Sequence, residues 1–451
     1  LGETMVQLIF YQFKFRKREW AGAVPLLFTS GILVGTCLTL LFNILENIKL
    51  FHKEVPWPLF TAPIFFGGIT ILFLLSSIVH YLFNIFKKEY KQWMILGADR
   101  GQLSILAGGQ LAIITCISSL FGALLSIIIS KGYYSLIQEQ IGREYFPVIE
   151  VRFNLLAVCL TIFLLSLLSF LGGTYATYKI IGRNNFFEDT NQTQKRLSKL
   201  VKSIVIVINL FLWLSLVIGS IIVPFLDLPG GMEYKLAFQS SAIFYLLVIH
   251  IIFLNYLSPN LEIRLIQFLS RKSRSFSIVF SKWNIIQNKH FLSSITLSLV
   301  TAISFTAGLL MISNNSIRSS FEQSKEVFAS FLFYLAGPLV LIISNIVTLT
   351  IISSKQDKDL TSQLEILGVS KLQLIKLRCG ESLMNSLVIF IVSLILNLII
   401  AVLVLNITFH TNLITLDYSL IFCPALIISL FYWLLVITTK FFIKFSNSRK
   451  K

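Results

Sequence analysis

Residues 92–103 read QWMILGADRGQL, and residues 363–374 repeat the pattern as QLEILGVSKLQL, 271 positions later. Each copy is a short polar connection between two long apolar stretches, and we call the copies the first and second connections. Six of the twelve paired positions are identical: Gln92/Gln363, Ile95/Ile366, Leu96/Leu367, Gly97/Gly368, Gln102/Gln373 and Leu103/Leu374. Backbone groups left unpaired in hydrocarbon cost several kcal/mol each, so such a connection cannot lie inside a bilayer. The repeat therefore predicts a duplicated membrane protein that offers two docking surfaces to a paired soluble partner.

The composition is typical of a polytopic membrane protein. Of the 451 residues, 55% are hydrophobic and only 13% are charged, and the mean hydropathy is +0.81. A soluble domain of this size carries roughly a quarter charged residues. The five cysteines lack metal-ligand spacing and are interpreted as small packing residues.

Ten apolar stretches reach the roughly 20 residues that a membrane-spanning helix needs. The sequence therefore predicts an all-α fold with ten transmembrane helices. They are expected at about 22–44, 59–85, 103–130, 153–178, 203–225, 237–257, 291–313, 328–353, 375–405 and 417–443.

The distribution of basic residues predicts the orientation. With both termini in the cytoplasm, the cytoplasmic side holds 30 of the 38 Lys and Arg residues and the external loops hold the other 8. This asymmetry obeys the positive-inside rule. The net charge of +17 is then explained by topology and by contact with anionic membrane lipids, rather than by nucleic acid.

The spacing of the spans repeats together with the connections, which gives a 4+2+4 arrangement. An even number of spans separates the copies, so the two blocks share one orientation, unlike the inverted repeats of many transporters. The predicted domains are residues 1–21, an amphipathic cytoplasmic surface helix; 22–180, the first four-span block; 181–258, a basic linker and two-span insert; 259–290, a second basic surface segment; and 291–451, the second four-span block.

Each connection is predicted to form a short cytoplasmic helix that turns back toward the membrane at Gly97 or Gly368. The apolar side of this helix, available to a groove in a partner, would be formed by Ile95, Leu96, Ile366 and Leu367. The alternative is a membrane-surface turn without a partner. Arg100 and Lys371 occupy equivalent positions and would pair either with partner carboxylates or with lipid phosphates.

The connections, the helices after them and the basic helices before each block resemble the FtsX-like permease family, the membrane subunits of type VII ABC systems. The helices after the connections hold Gln110 and Glu381, and the basic segment Lys282 to His290 reads KWNIIQNKH. The ten-span layout is similar to that of bacitracin-resistance permeases. Those relatives carry a large extracellular domain, often after the seventh span, whereas here residues 313–327 form a short loop.

This resemblance implies a permease subunit, not an enzyme, in a bacterial plasma membrane. Two copies of a cytoplasmic ABC ATPase would engage the two connections and hold the ATP and Mg, so that this chain binds no cofactor or metal. The expected substrate lies in the bilayer: a hydrophobic or amphipathic peptide, such as a bacteriocin or signal peptide, or a lipid-like molecule. Export and self-immunity are both compatible with the sequence.

Leu106 to Gln110 read LAGGQ, close to the LSGGQ signature of ABC ATPases. The match begins an apolar span, and the sequence has no GxxxxGK[ST] phosphate loop. Nothing in such a chain would cradle a nucleotide, so the similarity is interpreted as coincidental. The ATPase is expected to be a separate polypeptide.

Two other functions remain open at this stage. One is a signalling subunit that relays ATPase motion to a sensor kinase or a cell-wall hydrolase. The other is an ion-coupled carrier, which the absence of acidic residues near mid-span disfavours.

Gly31 and Gly35 predict a close helix contact. Aromatic residues in the external loops are interpreted as interfacial anchors: Trp57, Tyr133, Tyr134, Tyr145, Phe146 and Tyr234.

Overall fold

The computed structural model is almost entirely helical in the part of the chain that it describes, where no strand occurs. It describes residues 2–51, 58–143, 146–183, 192–222, 261–271, 275–287, 337, 339–353, 363–407 and 419–448, and scattered helical positions between 292 and 311. The main helices are α1 Gly2–Trp20, α2 Val24–Glu46, α3 Pro58–Ile95, α4 Arg100–Ile141, α5 Leu155–Arg183, α6 Gln192–Ile222, α7 Phe276–Gln287, α8 Leu339–Ser353, α9 Lys371–Ile407 and α10 Ser419–Ser448.

The predicted all-α membrane class is confirmed. Five helices in the described ranges are long and apolar enough to cross a bilayer: Ala21–Glu46, Arg100–Gln140, Leu155–Ile181, Leu372–Ala401 and Ile421–Thr438. Two shorter apolar helices, Ile206–Gly219 and Leu339–Ser353, accompany them. The expected span at 237–257 lies outside the described residues. The chain is a multi-pass membrane protein.

The chain divides into two compact units. Unit 1 comprises Leu1–Glu188 and Glu322–Gln356, and unit 2 comprises Asp189–Phe321 and Asp357–Lys451. Each unit therefore contains one connection. Unit 1 also contains α8, although the sequence repeat assigns that stretch to the second four-span block.

Glycines allow close packing of the helices in unit 1. A Cβ added to Gly31 would lie 2.8 Å from Ser119 Cα, and one added to Gly122 would lie 2.4 Å from the Phe28 carbonyl oxygen. These contacts join α2 to α4 and confirm the close helix contact predicted at Gly31. In the same way, a Cβ on Gly108 would lie 2.4 Å from Thr174 Cγ2 of α5. This contact gives one of the glycines in LAGGQ a packing role.

Helix α8 completes the start of α2. The α2 helix has no side-chain cap of its own, and Pro25 occupies its first turn. The backbone N–H of Leu26 has no partner within such a turn, and it donates to Thr348 Oγ1 of α8 at 3.1 Å. A hydroxyl from α8 thus satisfies a buried donor of α2.

The end of unit 1 opposite the first connection holds a packed cluster, which corrects one sequence interpretation. Tyr134 and Phe146, expected to be interfacial anchors, are buried instead. The Tyr134 hydroxyl donates to the Pro147 carbonyl oxygen at 2.7 Å. We call this the distal cluster, and its buried members are Leu40, Ile44, Phe60, Tyr134, Ile137, Phe146, Ile149 and Val151. Trp57, Tyr145 and Tyr234 lie outside the described residues.

Unit 2 is arranged around α9, which contacts α6, α7 and α10. The Asn397 amide of α9 donates to the Ile421 carbonyl oxygen of α10 at 3.1 Å. On another side of α9, Met384 and Val388 pack with Ile266 and Ile285. The helix that follows the second connection is therefore the centre of its unit.

Candidate functional site

Both connections begin with the same helix ending. Three backbone hydrogen bonds recur at equivalent positions, with N···O distances of 2.9–3.1 Å. They are Leu96→Gln92, Gly97→Met94 and Ala98→Trp93 in the first connection, and Leu367→Gln363, Gly368→Glu365 and Val369→Leu364 in the second, each written from N–H donor to carbonyl acceptor. The last two bonds of each set define a Schellman motif, which satisfies carbonyl groups at a helix end. The two connections thus have equivalent backbone hydrogen bonding as well as a shared sequence.

The glycines turn the chain, but the predicted short separate helix is absent from the first connection, where the turn ends the 38-residue helix α3. Gly97 has a φ of +96° and Gly368 has a φ of +84°, a region that side-chain-bearing residues rarely adopt. A Cβ at either position would meet nothing within 4 Å. The requirement for glycine therefore comes from the backbone conformation and not from crowding.

The glutamines that follow cap the next helix. Gln102 Oε1 accepts the N–H of Asp99 at 3.1 Å, and Gln373 Oε1 accepts the N–H of Ser370 at 3.0 Å. The Asp99 carboxylate in turn accepts the N–H of Gly101 at 3.2 Å. This is a capping box, in which side chains satisfy the free N–H groups of a helix start. The identical pair Gln102 and Gln373 therefore has a structural role as helix caps.

The final leucines of the connections are anchors within their own units. Leu103 is 1% exposed and Leu374 is 4% exposed. Leu374 packs in a cluster with Leu364 and Leu377. The sequence hypothesis assigns Gln102, Gln373, Leu103 and Leu374 to the coupling surface. In the structure the two leucines are buried, and the two glutamines are exposed and cap helices.

The isoleucine and leucine before each glycine are exposed. Ile95 and Leu96 are 63% and 85% exposed, and Ile366 and Leu367 are 84% and 78% exposed. Gln92, Gln363 and Arg100 are exposed as well. The side chain of Lys371 lies outside the described part of the structure. The outward surface of each connection is therefore an apolar pair beside polar groups.

Helix α1 contacts both helices that flank the first connection and so braces it. Gln110 of α4 donates through Nε2 to Gln12 Oε1 at 2.8 Å. Arg16 forms an ion pair with Glu89 of α3, and its guanidinium lies 5.3 Å from the centre of the Phe86 ring. Burial raises the pKa of the nearby Tyr90, an effect that the Arg16 charge opposes. One helix thus holds both arms of the hairpin that ends in Ile95 and Leu96.

Helix α7 braces the second connection in an equivalent place. Ser281 of α7 donates to the Leu377 carbonyl oxygen of α9 at 2.8 Å. Phe280 packs against the cluster that contains Leu364. Next to Leu377 in α9, Arg378 Nη1 donates to Glu381 Oε2 at 2.9 Å.

The structure also extends the repeat beyond twelve residues. Leu106 and Leu377 are both 1% exposed and lie at the same offset of 271. Gly109 and Gly380 are likewise paired, and each faces its bracing helix. A Cβ on Gly109 would lie 2.8 Å from Ile9, and one on Gly380 would lie 3.2 Å from Ser281. Continuing the alignment at the same offset would have revealed both pairs.

The arrangement defines a class of protein: a multi-pass helical membrane protein with two equivalent, braced and apolar-tipped connections. A search of the described residues finds no group of three or more His, Cys, Asp or Glu side chains placed to hold a metal ion. Comparison with protein-family models and with curated proteins finds no match to this chain.

Proposed function

We propose that this chain is the membrane subunit of an ATP-driven transporter of the FtsX-like kind. The first and second connections would each dock one copy of a separate cytoplasmic ATPase. The observation that carries the proposal is the exposure of the same Ile–Leu pair in two connections with equivalent backbone hydrogen bonding. A positive φ accounts for the glycine, and contacts within each unit account for the capping glutamine and the final leucine. They do not account for the identity of the exposed pair.

The exposed pair lies in a watery environment rather than in lipid. Lys91, Asp99 and Arg100 surround the first pair in sequence and are exposed, as is Glu365 beside the second pair. Charged groups are costly inside a bilayer, so these connections extend beyond it. Two large apolar side chains kept in water at equivalent sites are well suited to fill a groove in a partner.

The rigid support behind each pair suits the transmission of force. Contacts of Gln12 and Arg16 hold both helices that flank the first connection. Ser281 holds the helix that follows the second connection, through the Leu377 carbonyl. ATP-driven closure of two docked ATPases would therefore move α3 and α4, and likewise α9, as packed helices. The ATP and Mg would be bound by the ATPase, since this sequence contains no GxxxxGK[ST] loop.

The remainder of the proposal concerns topology and substrate. Ten spans in a 4+2+4 arrangement would place both described ends of the chain in the cytoplasm of a bacterium, with both connections on that side. The predicted external loops at 45–58 and 313–327 are short, so the substrate would be taken from the bilayer. A hydrophobic or amphipathic peptide is the substrate class that this route favours.

The experiment is co-purification of the ATPase with a Leu96→Asp and Leu367→Asp double variant. Truncating an apolar anchor in a groove costs about 2 kcal/mol or more of binding free energy. A charge in its place adds a desolvation cost. We expect the double variant to lose the ATPase and its ATP hydrolysis while the permease still inserts. Val148→Asp is the matched control because Val148 is 74% exposed near the distal cluster of unit 1. Full ATPase recovery with the double variant would contradict the proposal.

A further inference from the structure

Helix α1 has two faces of different character. Residues spaced three or four apart, among them Ile9, Gln12, Arg16 and Trp20, are buried or half-buried against the rest of unit 1. Between residues 7 and 17, the described part of the opposite face is exposed. Its members are Gln7, Leu8, Phe10, Tyr11, Lys14, Phe15 and Lys17. Only one side of this helix therefore has a partner within the unit.

The exposed face combines aromatic rings with ammonium groups. Phe10, Tyr11 and Phe15 are 61%, 63% and 84% exposed, and Lys14 and Lys17 are exposed between and beside them. Helices that lie in a membrane interface carry this mixture, because rings enter the headgroup layer while lysines extend toward phosphates. Three large exposed rings would be unfavourable on a surface that faced only water.

The connection to α2 places α1 beside the bilayer. Only Ala21–Ala23 separate Trp20 from α2, and the apolar helix Ala21–Glu46 is long enough to span. The C-terminal end of α1 therefore lies within about one helical turn of the start of a span. Trp20 itself is buried against Phe86 of α3, with ring centres 6.0 Å apart, which fixes the direction in which α1 leaves the span.

We infer that the exposed face of α1 docks on an anionic membrane surface, with Lys14 and Lys17 at acidic headgroups and Phe10, Tyr11 and Phe15 in the interface. Opposite charge favours this occupant over a neutral lipid surface. The other face of α1 grips both helices of the first hairpin through Arg16 and Gln12. Anionic lipid thereby stabilises the position of the first connection. This last step rests on the proposed function, whereas the docking itself does not.

The test of docking uses the full chain in lipid nanodiscs. One set contains 30% phosphatidylglycerol in phosphatidylcholine, and the other contains phosphatidylcholine alone. Two interfacial charges support a difference of about 30-fold in membrane affinity, so amide hydrogen exchange in residues 7–20 should slow at least fivefold with phosphatidylglycerol. A Lys14→Gln and Lys17→Gln double variant should lose this slowing.

The matched control is a Lys49→Gln and Lys131→Gln double variant. It removes the same charge from two exposed positions near the distal cluster and should keep the protection of α1. Equal exchange of α1 in both lipids would overturn the inference. Full protection of the Lys14→Gln and Lys17→Gln variant would overturn it as well.

A second measurement separates docking from its effect on function. With the ATPase bound, phosphatidylglycerol should raise ATP hydrolysis by the wild-type complex but not by the Lys14→Gln and Lys17→Gln variant. Equal hydrolysis in both lipids, with α1 protected, would contradict the functional step alone. Failure of any ATPase to bind would contradict the proposed function, while hydrogen exchange would still decide the docking.

Discussion

Of the six identical residue pairs of the connections, three have a role in the fold of the protein and three do not. The glycine pair adopts positive φ, the second glutamine pair caps a helix, and the final leucine pair is buried. The three pairs without such a role are all exposed: Gln92/Gln363, Ile95/Ile366 and Leu96/Leu367. Folding alone does not require an isoleucine and a leucine at a solvent-exposed helix end. The exposed pairs are therefore the residues for which a partner has to be sought.

A valine at Gly97 or Gly368 should disrupt the turn. A β-branched residue at positive φ costs about 1–3 kcal/mol, and the chain would shift to relieve that cost. We expect Gly97→Val to expose the amides of residues 96–98 to faster hydrogen exchange and to weaken ATPase binding.

Gly132→Val is the control for this substitution. Gly132 lies within α4 at an ordinary φ, and a Cβ there meets nothing within 4 Å. The control should leave the turn and the bound ATPase unchanged. Unaltered exchange at residues 96–98 in Gly97→Val would show that the turn does not depend on the glycine.

At the scale of elements, helix α4 shows what the sequence could and could not predict. Its start was close to expectation because polar residues mark the edge of the apolar stretch. The sequence predicts a membrane span at about 103–130, and the helix itself continues to Ile141. Its 42 residues are about 63 Å long, roughly twice the thickness of a hydrocarbon core. Helix beyond the bilayer needs no apolar composition, so hydropathy could not reveal it.

The extension of α4 explains why the distal cluster was missed. Tyr134 and Ile137 lie on this extra length of helix and contact Phe146, which follows in the next loop. Their burial depends on a tertiary contact that no local pattern encodes. The packing of α8 in unit 1 could not be predicted for a similar reason. The order of the spans does not specify which non-neighbouring helices pack together. The connections were predictable because their glycine and exposed apolar pair are local features that occur twice.

The contact between α2 and α4 is expected to tolerate no side chain at its centre. A leucine at Gly122 would force its Cβ toward the Phe28 carbonyl oxygen, which lies 2.4 Å from that position. Overpacking of this kind costs typically 1–3 kcal/mol, and a backbone atom cannot rotate out of the way. Gly122→Leu should lower the thermal unfolding temperature in detergent by several degrees. Gly132→Leu should change it little, and equal unfolding temperatures for both variants would contradict the packing described.

At the scale of the whole molecule, the proposed topology places the connections and the distal cluster on opposite sides of the membrane. In a cysteine-free background, Val148→Cys should react with an impermeant thiol reagent on intact cells. In cells without the ATPase, which would cover the site, Leu96→Cys should react only after the cells are opened. Both sites are well exposed, so accessibility within the protein does not limit either reaction. Labelling of Leu96→Cys on intact cells would reverse the orientation on which the proposal depends.

The central claim is that each connection docks one ATPase, and the number of bound ATPases tests it most directly. Native mass spectrometry of the purified complex should find two ATPase copies for the wild-type chain. Leu96→Asp and Leu367→Asp should each retain one copy, because each removes an anchor from a different connection. Two copies on either single variant, together with two on the double variant, would contradict the account.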